Sequence, residues 1–166
     1  MANILGKNLM VFMDGKAMAC ATNHTLSLEA EQIDVSSKDS GDWSSSMAGK
    51  LTWSISAEAL MTVDDKGKLE ASNANSQTYM TLMDALIART PVKLIFSTVG
   101  NKPLAAADKD GNVVPAGGWK PSATDNTDGY EGFAVITSIE ANASDGDLSS
   151  YSVQFQGNGA LSKRTK

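Results

Sequence analysis

Period-two alternation of apolar and polar residues dominates this chain, and it confines the fold to sheets. Leu51, Trp53, Ile55, Ala57 and Ala59 alternate with Thr52, Ser54, Ser56 and Glu58. Successive strand side chains point to opposite faces, so this run has one face for a core and one for water. Tyr151, Val153 and Phe155 alternate in the same way with Ser152, Gln154 and Gln156. Phe133, Val135, Thr137 and Ile139 alternate with Ala134, Ile136, Ser138 and Glu140, and Val92, Leu94 and Phe96 form a further strand after Pro91. Leu26, Leu28 and Ala30 alternate with Ser27, Glu29 and Glu31, after which the apolar phase moves to Ile33 and Val35. A phase shift of that kind predicts a β-bulge.

The run Leu9 to Met13 is apolar at every position. It predicts a strand covered on both faces, by its own domain or by a partner. Asp14-Gly15, Lys66-Gly67 and Asp145-Gly146 predict tight turns. A single helix is predicted where Tyr79, Leu82, Met83, Leu86 and Ile87 make one apolar stripe, with Asn75 or Ser76 as its cap and Thr90-Pro91 as its end. Two stretches lack periodicity: residues 36–50, Ser/Gly/Asp-rich and carrying Trp43, and residues 101–128, rich in Gly and Pro. The expected architecture is one domain over residues 1–166. It is mainly β, with two packed antiparallel sheets forming a sandwich or partly closed barrel and one flanking α-helix. Both long loops and a short basic C-terminal tail are expected to be mobile.

The composition excludes several functions. A formal net charge of -5 over 166 residues, with Lys163, Arg164 and Lys166 as the sole basic cluster, argues against tight binding to DNA phosphates. One cysteine, Cys20, rules out an internal disulfide and suits a reducing compartment. Residues 1–5 show no signal-peptide pattern, and no apolar run is long enough to span a membrane. His24 is the sole histidine, so any Ser-His-Asp or Cys-His triad depends on it; the simpler reading is a polar residue at a strand edge, with Cys20 a small buried hydrophobe. Cys20 and His24 together are too few ligands for structural zinc, and the paired aspartates lack EF-hand spacing. No enzyme activity, cofactor or metal is expected. Trp53 belongs to a core face. Trp43 and Trp119 lie in loops, where each is either packed on its own domain or an anchor for a partner.

Two features are left over: strands whose outer faces are small and uncharged, and long loops on a compact body. Identical sheets joined side by side close into rings, and such faces would line a polar, weakly acidic bore. At this point the order of motifs matters. The stretch Leu28 to Trp43, then Met47 to Leu60, resembles the major tail tube proteins of long-tailed bacteriophages and related phage-like injection particles. Leu82 to Leu86, Val92 to Phe96, Gly132 to Glu140 and Ser150 to Gly159 follow in the matching order. Residues 101–128 carry no family signature.

The resemblance implies a non-enzymatic virion subunit, assembled in the host bacterial cytoplasm. It implies self-association, as six-membered rings stacked into a tube through which DNA leaves the capsid without specific binding. It also implies partnership with tail-tip initiator, tape-measure and tail terminator proteins. It points to Ser54, Ser56, Glu58, Gln154 and Gln156 as lumen-facing, and to Lys38, Asp39, Asp42 and Trp43 as ring-to-ring contacts. The competing expectation is a monomeric carbohydrate-binding β-sandwich that uses Trp43 and Trp119.

Overall fold

The computed structural model describes residues 4, 6–64, 66–100, 118–122 and 129–164. Its strands are β1 (Leu9–Met13), β2 (Lys16–Met18), β3 (Ala21–Asp34), β4 (Ser46–Leu60), β5 (Ser76–Gln77), β6 (Val92–Thr98), β7 (Gly129–Asn142), β8 (Ser150–Gly157) and β9 (Ser162–Lys163). One helix, α1 (Tyr79–Ala88), lies between β5 and β6. The mainly β architecture with a single helix is the one expected. The layers, however, belong to one hydrogen-bonded path, β3-β4-β8-β7-β6-β1-β2-β5, with β9 on β7. All the strand pairs are antiparallel except β2–β5, so the sheet is mixed.

The connection between β2 and β3 shows that this sheet curls. These strands sit towards opposite ends of the path, yet only Ala19 and Cys20 separate them in sequence. Ala19 N–H donates to the Gln77 carbonyl on one side, and the Cys20 carbonyl accepts from Leu60 N–H on the other. The two ends are therefore held together at this corner without ladder pairing between β2 and β3, and the barrel is not closed. Cys20 takes a left-handed φ of 48° to make the bend and is exposed. The expected buried cysteine is thus corrected: the corner turns its side chain outward.

The inner face of the sheet carries the main core. Val11, Met13, Trp53, Ile55, Leu94, Val153 and Phe155 lie in it, with Leu82 of α1. Trp53 is the keystone, with its indole N–H donating 2.9 Å to the Gly159 carbonyl. Gly132 and Gly157 leave it room; a Cβ at Gly132 would lie 2.6 Å from its ring. On the opposite face Phe12, Ala17, Ile95 and Val99 form a second, smaller core beneath Met10 and Trp119. The two-sided apolarity of β1 is thereby explained within the chain, with Val11 and Met13 on one face and Phe12 on the other.

Several details depart from the periodic reading. In β7 the buried residues are Gly132, Ala134 and Ile136, while Phe133 is 55% exposed. A register shift between Ile136 and Ser138 then returns Ile139 to the core side. Thr78, rather than Asn75 or Ser76, caps α1, exchanging hydrogen bonds with Thr81. Ser76 and Gln77 are instead taken by pairing with β2. Residues 36–50 are partly strand, because β4 begins at Ser46. The basic tail is tied down as far as Arg164: Lys163 pairs with Tyr130, and the Arg164 guanidinium donates to the Ser122 carbonyl at 3.2 Å. The loop expected over 101–128 falls outside the described residues except for 118–122. The Asp14-Gly15 turn is as expected, with φ of 52° and 79°.

Candidate functional site

Two surfaces stand apart from the folded body. The first is the outer face of the β3-β4-β8-β7 part of the sheet. Registered pairing places Ser54 beside Gln156 and Ser56 beside Gln154. The five residues expected to line a lumen therefore form one contiguous patch, since directly paired residues present their side chains on the same face. The structure adds members that the sequence reading did not single out. Asn23, Thr25 and Ser27 of β3 pair with Glu58, Ser56 and Ser54. Ser152 pairs with both Glu58 and Glu140, giving a row of two carboxylates flanking a hydroxyl. Period-two alternation carried these residues too; what was missing was the strand order. The Gln156 amide donates to the Trp53 carbonyl at 3.1 Å, and the Thr137 hydroxyl to the Gln154 carbonyl at 3.2 Å. The named rows carry no Lys or Arg, so nothing in them grips phosphate.

The second surface is the β3–β4 hairpin beyond the body. The two strands pair from Ala21–Ala59 out to Asp34–Ser46, and from the Glu29–Thr52 pair outward both are almost wholly exposed. The predicted bulge is present: between the Ala30–Leu51 and Gln32–Ala48 pairs, Gly49 and Lys50 stand opposite the single Glu31. The apolar pairs change face there, from Leu28–Trp53 and Ala30–Leu51 to Ile33–Met47. Leu28, Ile33, Val35, Met47 and Leu51 are between 41% and 68% exposed.

The tip is built by local hydrogen bonds. The Ser36 N–H donates to the Asp34 carboxylate at 2.8 Å, and Ser36 and Ser45 bond to each other across the loop. The Ser36 hydroxyl, then its N–H, hold the Asp34 pKa below its ordinary value. Ser37 caps a short 3₁₀ turn over Lys38–Ser40. Lys38, Asp39, Asp42 and Trp43 all fall within this tip, with Trp43 85% exposed. Trp119, by contrast, packs on the second core. The two tryptophans thus differ in role and do not form a shared platform for a sugar. The environment of His24 is equally unlike a triad: its Nε2 is buried without a hydrogen-bond partner among the described residues, and burial lowers its pKa.

Residues 9–80 match the sequence family described as phage tail tube protein. Over these residues the chain is similar to phage tail tube proteins. The matched span contains the whole β3–β4 hairpin and the expected ring-to-ring residues. No curated protein matches the chain. Solved structures share its fold over nearly the full length. The tail of an empty gene transfer agent particle, with C6 symmetry, has a TM-score of 0.65 at 19% identity, covering 98% of this chain and all of the other. The virion of a native gene transfer agent particle gives 0.67 at 18% identity, covering 98% of this chain and all of the other. The SPP1 tail tube gives 0.63 at 13% identity, covering 99% of this chain and 80% of the other. Among the described residues no helix is long and apolar enough to cross a membrane.

Proposed function

We propose that this tail tube subunit polymerises as stacked six-membered rings whose bore conducts DNA out of the capsid. The observation that carries the reading is the β3–β4 arm. It is a long paired ribbon whose apolar residues are left uncovered by its own chain. A two-stranded ribbon is marginal alone, and a row of exposed apolar side chains at its flanks fits contact with another molecule. The C6 symmetry of a gene transfer agent tail of the same fold supports six copies per ring. In that assembly the outer face of β3, β4, β8 and β7 lines the lumen. Its Ser, Thr, Asn and Gln side chains stay hydrated, and Glu58 and Glu140 repel phosphate, so the duplex slides without being held.

On this reading Lys38, Asp39, Asp42 and Trp43 contact the adjacent ring, and the chain resides in the virion tail after assembly in the host cytoplasm. Growth starts on a tail-tip initiator around a tape-measure protein and ends at a terminator. The test is negative-stain microscopy of concentrated protein, with and without tail-tip seeds, beside the Trp43→Ala variant. Wild-type protein should form hollow tubes. The variant should remain folded and unassembled, its stability changed by no more than about 0.5 kcal/mol because the indole is a surface group. Normal-length tubes from Trp43→Ala would remove Trp43 from the contact. A wild-type chain that stays monomeric with seeds present would refute the tube itself.

A further inference from the structure

The polar face is carried by four strands, β3, β4, β8 and β7, and both outer edges of that unit are open. β3 ends the hydrogen-bonded path, and β6 pairs with β7 only as far as Ala134. Among the described residues no strand covers β7 from Val135 to Asn142 on the side away from β8. The two open edges span the same rows. One row runs Ser27, Ser54, Gln156, Val135, and another Ala21, Ala59, Tyr151, Ala141. β3 and β7 cross these rows in opposite directions. Turning one copy about an axis along the strands therefore brings its β3 antiparallel to the β7 of the next.

Each open edge carries one extra residue. Between those rows the inner strands supply residues 54–59 and 151–156, whereas the edges supply residues 21–27 and 135–141. The extra residue is a threonine on both edges. Thr22 falls between the Ala21–Ala59 and Asn23–Glu58 pairs, and its hydroxyl donates to the Glu58 carbonyl at 3.2 Å. Thr137 falls between the Ile136–Phe155 and Ser138–Gln154 pairs, and its hydroxyl donates to the Gln154 carbonyl at 3.2 Å. A bulge puts the side-chain alternation out of step by one position. If two copies met row to row, Asn23 of the polar face would oppose Ile139 of the core side. If Thr22 stood opposite Thr137, Asn23 would oppose Ile136 of the core. No register joins the whole of both edges in one ladder with the faces kept.

We propose that the two threonine bulges hold edge-to-edge pairing below the strength at which free subunits join side by side. A subunit then enters a ring only where the arm contact to the ring beneath adds to the edge contact, and two contacts made together multiply in affinity. This rests on the tube-subunit reading and assigns its lateral surface a built-in brake. Bulges blunt exposed sheet edges against pairing with other chains in the same way.

The experiment deletes Thr22 and Thr137 from one chain. The flanking pairs keep their faces, and every residue of the two edges then agrees, Asn23 with Glu140 and Leu26 with Ile136. Sedimentation velocity without seeds should show association beginning at a concentration about tenfold lower than for wild-type protein, the worth of one added ladder hydrogen bond near the top of the usual range. A double deletion that is folded by circular dichroism and has an unchanged or higher threshold overturns the brake and leaves the tube reading intact. Wild-type protein that forms no tubes with seeds present overturns both. A 1:1 mixture of the two single deletions supplies a second measurement, because each unlike pair of chains has one matched junction. It should give heterodimers at a concentration where either chain alone stays monomeric, and their absence would likewise overturn the brake.

Discussion

Replacing Gly157 by alanine should be among the most damaging single-methyl changes this subunit can suffer. The added Cβ would overlap Cε2, Nε1 and Cδ2 of Trp53. The indole is poorly placed to retreat. It is 4% exposed, and its N–H is committed to the Gly159 carbonyl. Overpacking a core costs about 1–3 kcal/mol, and an indole pushed off its acceptor adds about 1 kcal/mol or more. A loss of about 3 kcal/mol corresponds to a melting temperature lower by about 6–12 °C for a domain of this size. The assay is thermal unfolding of the unassembled subunit, followed by circular dichroism, with Gly6→Ala as baseline because nothing lies within 4 Å of its Cβ position.

A double-mutant cycle then isolates the cause. Trp53→Val is costly by itself, but it removes every ring atom that the new methyl strikes. In that background Gly157→Ala should cost under about 1 kcal/mol, a coupling of about 2 kcal/mol between the sites. Additive costs, within about 0.5 kcal/mol, would refute the claim that Gly157 is glycine to make room for the indole.

His24 should make the subunit acid-sensitive. Burial holds its folded pKa below the ordinary 6.5, so the unfolded chain takes up the proton first. Stability is then full above 6.5 and falls as pH drops through that value towards the folded pKa. Urea midpoints compared at pH 7.5 and 5.5 should fall less for His24→Gln than for wild-type protein; equal losses would reject the assignment. Tyr151 should govern the alkaline side. Its phenol is pushed up to about 12, first by burial and then by the Cys20 charge, while the unfolded chain ionises near 10, so stability is lost as pH rises from 10 to 12. Tyr151→Phe should flatten that limb, and a profile identical to wild type would contradict it. Ser56→Lys should leave the subunit's stability within about 0.5 kcal/mol yet put a cation into the bore of every copy, giving tubes that retain DNA in a salt-dependent way. Unaltered DNA passage would place Ser56 outside the lumen.

Much of this fold was legible because each strand carries its own face pattern. Trp53, Ile55, Tyr151, Val153 and Phe155 are buried as their alternation requires. The bulge in the arm was readable from the shift between Ala30 and Ile33, although the extra residue resides in β4, as Gly49 and Lys50. What was not legible depends on remote partners. The burial of Phe12 rests on Trp119, over a hundred residues away, so no local pattern distinguishes Trp119 from Trp43. The cap of α1 fell to Thr78 because a parallel pairing with Lys16–Met18 captured Ser76 and Gln77, and stronger capping residues upstream were left outside the helix. The polar faces of β4 and β8, proposed to line a lumen, stood out by period alone. That they meet as Ser54–Gln156 and Ser56–Gln154 required the strand order.

The charges of the arm explain how a chain with so much uncovered apolar surface can favour a tube over a closed pair. Between residues 27 and 52 five carboxylates, Glu29, Glu31, Asp34, Asp39 and Asp42, stand against two ammonium groups, Lys38 and Lys50. Two arms laid side by side would bring like charges together, and like charges across a ribbon destabilise pairing. An arm-to-arm contact would also be isologous, burying both apolar stripes in a closed dimer with nothing left to extend. The net negative arm disfavours that dead end. It leaves the apolar residues free for a different surface, and a contact between unlike patches is the geometry that can repeat without limit along a tube.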